Sequence, residues 1–421
     1  MSAIFKREFK TFFTSPIGYF VLAVLFGFSG FYFFASNMYA GSADLSGVFG
    51  GLFTIVLLLV LPVLTMRLLS DDKRQRTDQA LLTAPVSLTG IALGKFLAAL
   101  LLFAIGISIT LVFAVIIAFQ VTPDWLVIVG NYVGLLLLGG MVIAIGLFIG
   151  FCLPAGLAHS PKMHKGYDLY SAAVPVGLTA FFVRALLYQA LGGTLPGGAS
   201  TDLGVSSWNV ANVFCFGVFG LCIVGALVLG CRPKDYWRLL RDPGYSVDFS
   251  QKYGNAAFLM NVGIYGLFIV LYYNLVGATF NAVTFGCIFC MLACCCSGSH
   301  PGNVWPIMVG YVAASFLGKW FCVGEAYTQA INAQAIVVGL CFANGLSPIS
   351  GRYGWPFGIL AGMLHFTLVT SVPLLHGGFC LYNGGFTAAF VCMFFIPVFE
   401  RFFRTKEERK LAKAERTANS Q

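Results

Sequence analysis

Five cysteines stand close together, at Cys287, Cys290 and Cys294 to Cys296, and His300 follows them. A C-x-x-C pair is the spacing zinc and redox chemistry use, because it sets two thiolates about one helical turn apart. A structural zinc site takes four ligands, and the chain has no second C-x-x-C, with His300 the one nearby imidazole. Membrane helices also use cysteine as a small apolar residue, and a reducing cytoplasm leaves it a thiol. No metal and no cofactor are expected on this pattern.

His164 and His376 each stand six residues before a tyrosine, Tyr170 and Tyr382. Histidines near turns in a membrane can relay protons or hold a polar substrate group, and they can equally brace a turn by hydrogen bonding. Asn383, followed by Gly384 and Gly385, can present backbone carbonyls at a helix break or form a plain glycine turn. Asn303 is placed to cap a helix over 304–322, with Pro306 in its first turn, where proline is tolerated. Lys319 and Glu325 are spaced as an interfacial pair, or as a functional one if buried. His164, Tyr170, Asn303, Pro306, His376, Tyr382 and Asn383 are the residues from which a substrate path would be built. No catalytic residue is expected.

A phosphate-binding loop G-x-x-x-x-G-K-[ST] would mark an ATPase. The nearest approach is Gly90 to Phe96, where the spacing is one short, no Ser or Thr follows Lys95, and the surroundings are apolar. It reads as packing glycines and one interfacial lysine, so the chain is not expected to be an enzyme.

The elements that hold these residues are membrane spans. Charged residues make up 10% of the 421 and hydrophobic ones 58%, with a mean hydropathy of +0.86. Soluble domains carry about 25% charge, so a soluble enzyme and a disordered chain are both excluded. A bilayer-spanning helix needs about 20 apolar residues, and the chain offers about 10–12 such stretches, two of them (282–297 and 327–345) short or weak. The fold class is all-α and polytopic. Residues 1–15 set Ile4, Phe5, Phe9, Phe12 and Phe13 at helical spacing with Lys6, Arg7 and Lys10 between, as an interfacial helix does. No cleavable signal is expected there, so the first span acts as the insertion signal. Ser87 is a plausible N-cap for the following span.

The net charge of +9 sits beside spans: at Lys6 to Lys10, Arg67 to Arg76, Arg232 to Lys252 and Arg401 to Arg416. The positive-inside rule places these segments, and both termini, in the cytoplasm. A nucleic-acid partner is not expected, because that needs a basic face on a soluble surface. The tail, 400–421, reads as a charged cytoplasmic helix.

The first Cys is Cys152 and the first His is His159, which suggests two parts of different origin joined near residue 150. In the front part, the amphipathic elbow, two spans and the passage running from Asp71 through ALLTAPVS to LGKFLA resemble the permease subunits of ABC-2 exporters, in their gliding-motility branch. The resemblance covers 1–149 with four spans where the family has six, a truncated copy. It implies transport of an unknown substrate with a separate ATP-binding subunit, in the bacterial cytoplasmic membrane, as a homo- or hetero-oligomer. The subunit contact would fall on Asp71, Asp72, Arg74, Gln79, Leu81, Leu82 and Pro85.

In the rear part, GLFIGFCLPAGLAHSPKMHKGYDLY (146–170) repeats as GILAGMLHFTLVTSVPLLHGGFCLY (358–382). The pairs Gly146/Gly358, Gly150/Gly362, Pro161/Pro373, His164/His376, Gly166/Gly378 and Tyr170/Tyr382 stay in register. The basic flanks would invert one copy relative to the other, an arrangement common in transporters. SGSHPGNVWPIMVG (297–310), ANGLSPISGRYGWPFGILAGMLH (343–365) and LHGGFCLYNGGFTAAF (375–390) resemble an uncharacterised bacterial multipass-membrane family, a domain of unknown function. That likeness covers 146–400, with an incomplete first half. The expected organisation is thus a permease-like module over 1–149, an inverted-repeat module over 150–399, and the tail. A secondary transporter or channel is the nearest alternative. A membrane-embedded thiol or metal enzyme, or a non-transporting scaffold, are the readings from other classes.

Overall fold

A computed structural model of the chain describes residues 2–56, 87–190, 208–321, 330–376 and 383–418, with single positions 60, 61, 64, 65, 68 and 192. Helices make up nearly all of these residues, and no strand occurs among them. Eight helices among the described residues are long and apolar enough to cross a membrane. The protein is therefore a polytopic all-α membrane protein. It forms two compact units, Met1–Pro154 and Ala155–Gln421.

The first unit opens with α1 (Ser2–Thr14), whose Phe5, Phe9 and Phe13 stack at one-turn intervals, with ring centroids 6.0 and 5.1 Å apart. Pro16 then starts α2 (Pro16–Phe33), which widens into a π-helical stretch, Phe34–Tyr39. After α3 (Ser46–Ile55) come α4 (Leu88–Ile107), α5 (Ile109–Ala118) and α6 (Trp125–Met163). Ser87 caps α4 by accepting a bond from the Gly90 N–H at 3.2 Å, as its sequence position suggests. Leu25, Leu52, Leu102 and Phe103 fill the core.

Lys95, read from the sequence as an interfacial lysine, is enclosed by protein. It is 1% exposed. Its ammonium donates to the Leu68 carbonyl at 2.7 Å and to Glu8 of α1 at 3.0 Å. A buried ammonium needs such partners to offset lost hydration. Gly94, one residue earlier, lets Ile4 of α1 lie flat against α4, which closes that corner to water.

The second unit holds α7 (Ala173–Arg184), which ends in a π-helical stretch, then α8 (Trp208–Val228), α9 (Pro233–Leu239) and α10 (Phe249–Val276). Next come α11 (Ala282–Ala293) and α12 (Pro301–Phe321). The helix α13 (Gln334–Ala343) runs through a 3-10 turn, Asn344–Leu346, into α14 (Ser347–Tyr353) and then α15 (Trp355–Val369). The chain finishes with α16 (Val372–His376), α17 (Asn383–Phe402) and α18 (Lys406–Ala418).

The two weak segments of the sequence are short helices. At 12 residues α11 rises about 18 Å, well under a bilayer core. The segment 334–353 is interrupted at Asn344–Leu346. These pieces lie side by side and parallel. Asn281 bonds Gln334 and Asn344 bonds the Met291 carbonyl, each pair 53 residues apart. Tyr311 and His365, 54 apart, bond in the following helices. A constant positive offset means two copies of one hairpin running the same way, α11–α12 beside α13–α15.

At the centre of the pair, α12 and α15 touch backbone to backbone. A Cβ at Gly310 would overlap the Ile359 carbonyl, and a Cβ at Gly362 would overlap the Ile307 carbonyl. The two contacts are reciprocal, as a local two-fold axis along the helices requires.

Candidate functional site

One group of buried polar side chains in the second unit gathers at the break in α13–α14. The break frees backbone groups that a continuous helix would pair internally, so neighbouring side chains must satisfy them. Asn344, fully buried, donates to the Tyr265 hydroxyl at 3.1 Å and to the Met291 carbonyl at 3.0 Å. Ser299 bonds the Asn344 carbonyl at 3.4 Å and Ser347 at 3.1 Å, and Asn261 donates to the Ser299 carbonyl at 2.9 Å.

The loop from His164 to Ala172 closes over this break. The Leu169 N–H donates to the Gly345 carbonyl at 3.1 Å. The Tyr170 hydroxyl lies 3.2 Å from both the Cys290 and Cys341 carbonyls, bridging the two copies of the hairpin. Asp168 is 2% exposed. One of its oxygens accepts from the Tyr170 N–H at 2.9 Å, and the other has no hydrogen-bond partner among the described residues. Burial, only partly opposed by that N–H, pushes its carboxyl up to about 7. The amide oxygens of Asn261 and Asn344 are likewise buried and without a partner. Three acceptor oxygens with unused lone pairs thus surround one helix break, an arrangement suited to holding a proton or a cation.

His164 orients the loop. Its Nδ1 accepts the Asp168 N–H at 3.3 Å, so Nε2 carries the hydrogen and donates to Ser171 at 3.0 Å. Burial holds it down to about 4, as a neutral ring. His376 is held differently. Its ring is buried against Phe386, with centroids 4.9 Å apart, and neither nitrogen is bonded among the described residues.

The remaining sequence candidates are placed as follows. The helix α12 begins at Pro301, not 304, because His300 folds back over its start: its Nδ1 accepts the Gly302 N–H at 3.1 Å. Asn303 therefore sits inside the first turn and is not the cap. Its oxygen accepts the His300 N–H at 3.0 Å and its amide donates to the Gly298 carbonyl at 2.8 Å. Pro306 consequently lies in the body of the helix, where it withholds the donor that would pair with the Gly302 carbonyl. Asn383 starts α17, and the next carbonyl, Gly384, accepts from His365 at 2.8 Å. Tyr382, and the passage from Asp71 to Pro85 with Asp72, Arg74, Gln79, Leu81 and Leu82, lie outside the described residues, as do the side chains of Lys319 and Glu325.

Among the cysteines, Cys287, Cys294 and Cys295 are buried in helix contacts, and the Cys341 thiol donates to the Cys287 carbonyl at 3.4 Å. Among the described residues no three His, Cys, Asp or Glu side chains converge as metal ligands.

Sequence reasoning passed over Asp168, Asn261, Asn344 and His365. A signal was present. Ala282, Gly286, Phe289, Ser297 and Gly298 recur 53 residues on as Ala335, Gly339, Phe342, Ser350 and Gly351, and Trp305-Pro306 recurs as Trp355-Pro356. That tandem repeat points at the break between its matched ends.

Residues 6–183 match the family described as ABC-2 family transporter protein, and residues 232–401 match the family described as protein of unknown function (DUF1576). The first match runs past residue 149, through the rest of α6 and most of α7. Both resemblances read from the sequence motifs thereby hold. No curated protein and no solved structure matches the chain. The chain is a multipass membrane protein whose front part is similar to ABC-2 family transporter proteins.

Proposed function

We propose that this protein is the membrane subunit of an ATP-driven exporter, moving its substrate with the help of a separate ATP-binding subunit. The observation that carries this reading is the ABC-2 match over 6–183, together with the elbow helix α1 locked to α4 through Glu8 and Lys95. The ATPase docks on the passage from Asp71 to Pro85, with Leu81 and Leu82 inserting into a groove of the partner as helix anchors. The basic segments of the chain, by the positive-inside rule, support a cytoplasmic position for that passage and both termini in a bacterial inner membrane. Reconstitution with the partner ATPase tests this. ATP hydrolysis should rise when the chain is added, and Leu81→Glu with Leu82→Glu should abolish the rise. An unchanged rate with the intact chain would refute the coupling.

A second reading concerns the rear unit alone. Asp168, with one unpartnered oxygen beside a broken helix, suits a proton- or cation-coupled secondary transporter. Proton uptake by vesicles containing the chain, lost in Asp168→Asn and independent of ATP, would favour it.

A further inference from the structure

Away from the helix break, the second unit contains a cavity of about 490 Å³ between the Leu240–Pro243 turn, the start of α12 and the start of α18. Four cations line it: Arg241, Arg352, Lys406 and Lys410. They come from three separate segments, so their convergence is a product of the fold.

Three of these cations are held by uncharged partners. Arg352 donates to the Tyr167 hydroxyl at 2.9 Å, and its guanidinium lies 4.4 Å from the centre of the Tyr245 ring. Arg241 stands over Trp237 at 5.4 Å. Lys406 donates to the Ser350 carbonyl at 3.3 Å, which holds α18 against the end of α14. Lys410 lies one turn further along the same face of α18. None of the four forms an ion pair among the described residues.

The nearby carboxylates are mostly committed elsewhere. Asp242 faces the cavity, but it accepts from Lys252 and Tyr253, both at 2.6 Å, and from the Gly244 N–H at 2.8 Å. Glu408 caps α18 by accepting the Thr405 N–H at 2.7 Å, and Glu400 pairs with Lys165. Glu407 alone is left at the wall. His300 is neutral: it accepts from Gly302 and donates to the Asp242 carbonyl at 2.9 Å. His300 takes up the first N–H groups of α12, those of Gly302, Asn303 and Val304, so that helix end gives the space no free donor and the four cations carry the charge. Trp237, Trp355 and Phe402 are exposed around it, as aromatic residues are at a membrane–water boundary.

We propose that this cavity binds a phosphate group, supplied either by an anionic lipid headgroup at the boundary or by a soluble phosphate. Four converging cations with one free carboxylate leave an excess of positive charge that a doubly charged, multidentate anion neutralises, and Arg352 is stacked and oriented for forked bonding to its oxygens. The proposal is independent of the transport reading.

The test is the melting temperature of the full chain in phosphatidylcholine nanodiscs. One arm adds inorganic phosphate against chloride of equal ionic strength, and the other replaces part of the lipid with phosphatidylglycerol. At about a hundredfold excess over Kd, the effective arm should raise the melting temperature by about 3 °C. Arg241→Gln with Lys410→Gln should lose that rise while leaving the melting temperature in plain phosphatidylcholine unchanged. A rise with phosphate alone identifies a soluble ligand, and a rise with phosphatidylglycerol alone identifies a lipid. No rise in either arm, or a full rise in the double variant, would overturn the proposal.

Discussion

The buried imidazoles of His164 and His300 and the buried carboxyl of Asp168 make the second unit sensitive to pH in opposite directions. An ordinary histidine takes up a proton near 6.5, whereas burial holds His164 and His300 down to about 4. Between those values the unfolded chain binds more protons than the native one, so stability falls as pH is lowered through that window. Asp168, raised from 3.8 to about 7 by burial, does the reverse: the native state keeps a proton that the unfolded chain releases, so stability falls as pH rises across that range. Two variants separate these effects. In His164→Gln the loss of melting temperature between pH 6.5 and pH 4.5 should shrink. In Asp168→Asn the melting temperature relative to the native chain should climb from pH 5 to pH 8. A flat difference for Asp168→Asn would show that this carboxyl does not titrate in that range. At this scale the sequence revealed His164 and Tyr170 by their repeat spacing, but Asp168 stood two residues from Tyr170 without any mark. Its importance comes from Gly345 and Asn344, which lie far along the chain and reach it only through folding.

Among the elements, the spans and caps set by local rules were legible. The α1 stripe, Pro16 at the start of α2 and the Ser87 cap follow from residue types a few positions apart. The start of α12 was not, because His300 folds back onto Gly302 and moves the first turn to Pro301, which leaves Pro306 inside the helix. The shortness of α11 and the interruption after α13 were visible as weak apolar segments, yet their parallel pairing depends on contacts across 53 residues. The α12–α15 crossing is the firmest link in that pair. Gly362→Leu or Gly310→Val would drive a side chain into a carbonyl of the other helix and should destabilise the unit by about 1–3 kcal/mol or prevent its folding. Gly286→Ala, where nothing stands near the added carbon, should have a far smaller effect in the same thermal melts.

For the molecule as a whole, the tandem hairpins bear on the expected inverted relation of 146–170 and 358–382. Consecutive crossings alternate in direction, so parallel α12 and α15 require α13–α14 to cross between them, and its equivalent α11 to cross as well. An odd number of crossings, α7, α8, α10, α11, α12, α13–α14 and α15, then separates His164 from His376, and the two histidines should face opposite sides. Single cysteines at Lys165 and Ser371, in a background without native cysteines, should therefore label from opposite sides of the membrane. Labelling from one side would make the repeat parallel. The second turn of that repeat, 377–382, lies outside the described residues. Export itself depends on a partner, and the passage assigned to it, Asp71 to Pro85, is where the account is most exposed. A photoreactive cross-linker on a cysteine introduced at Gln79, activated in cells that carry the cognate ATPase, tests it most directly. The account predicts one dominant adduct, a protein with a phosphate-binding loop of the G-x-x-x-x-G-K-[ST] type, lost in Leu81→Glu with Leu82→Glu. Adducts that contain no such protein would contradict it.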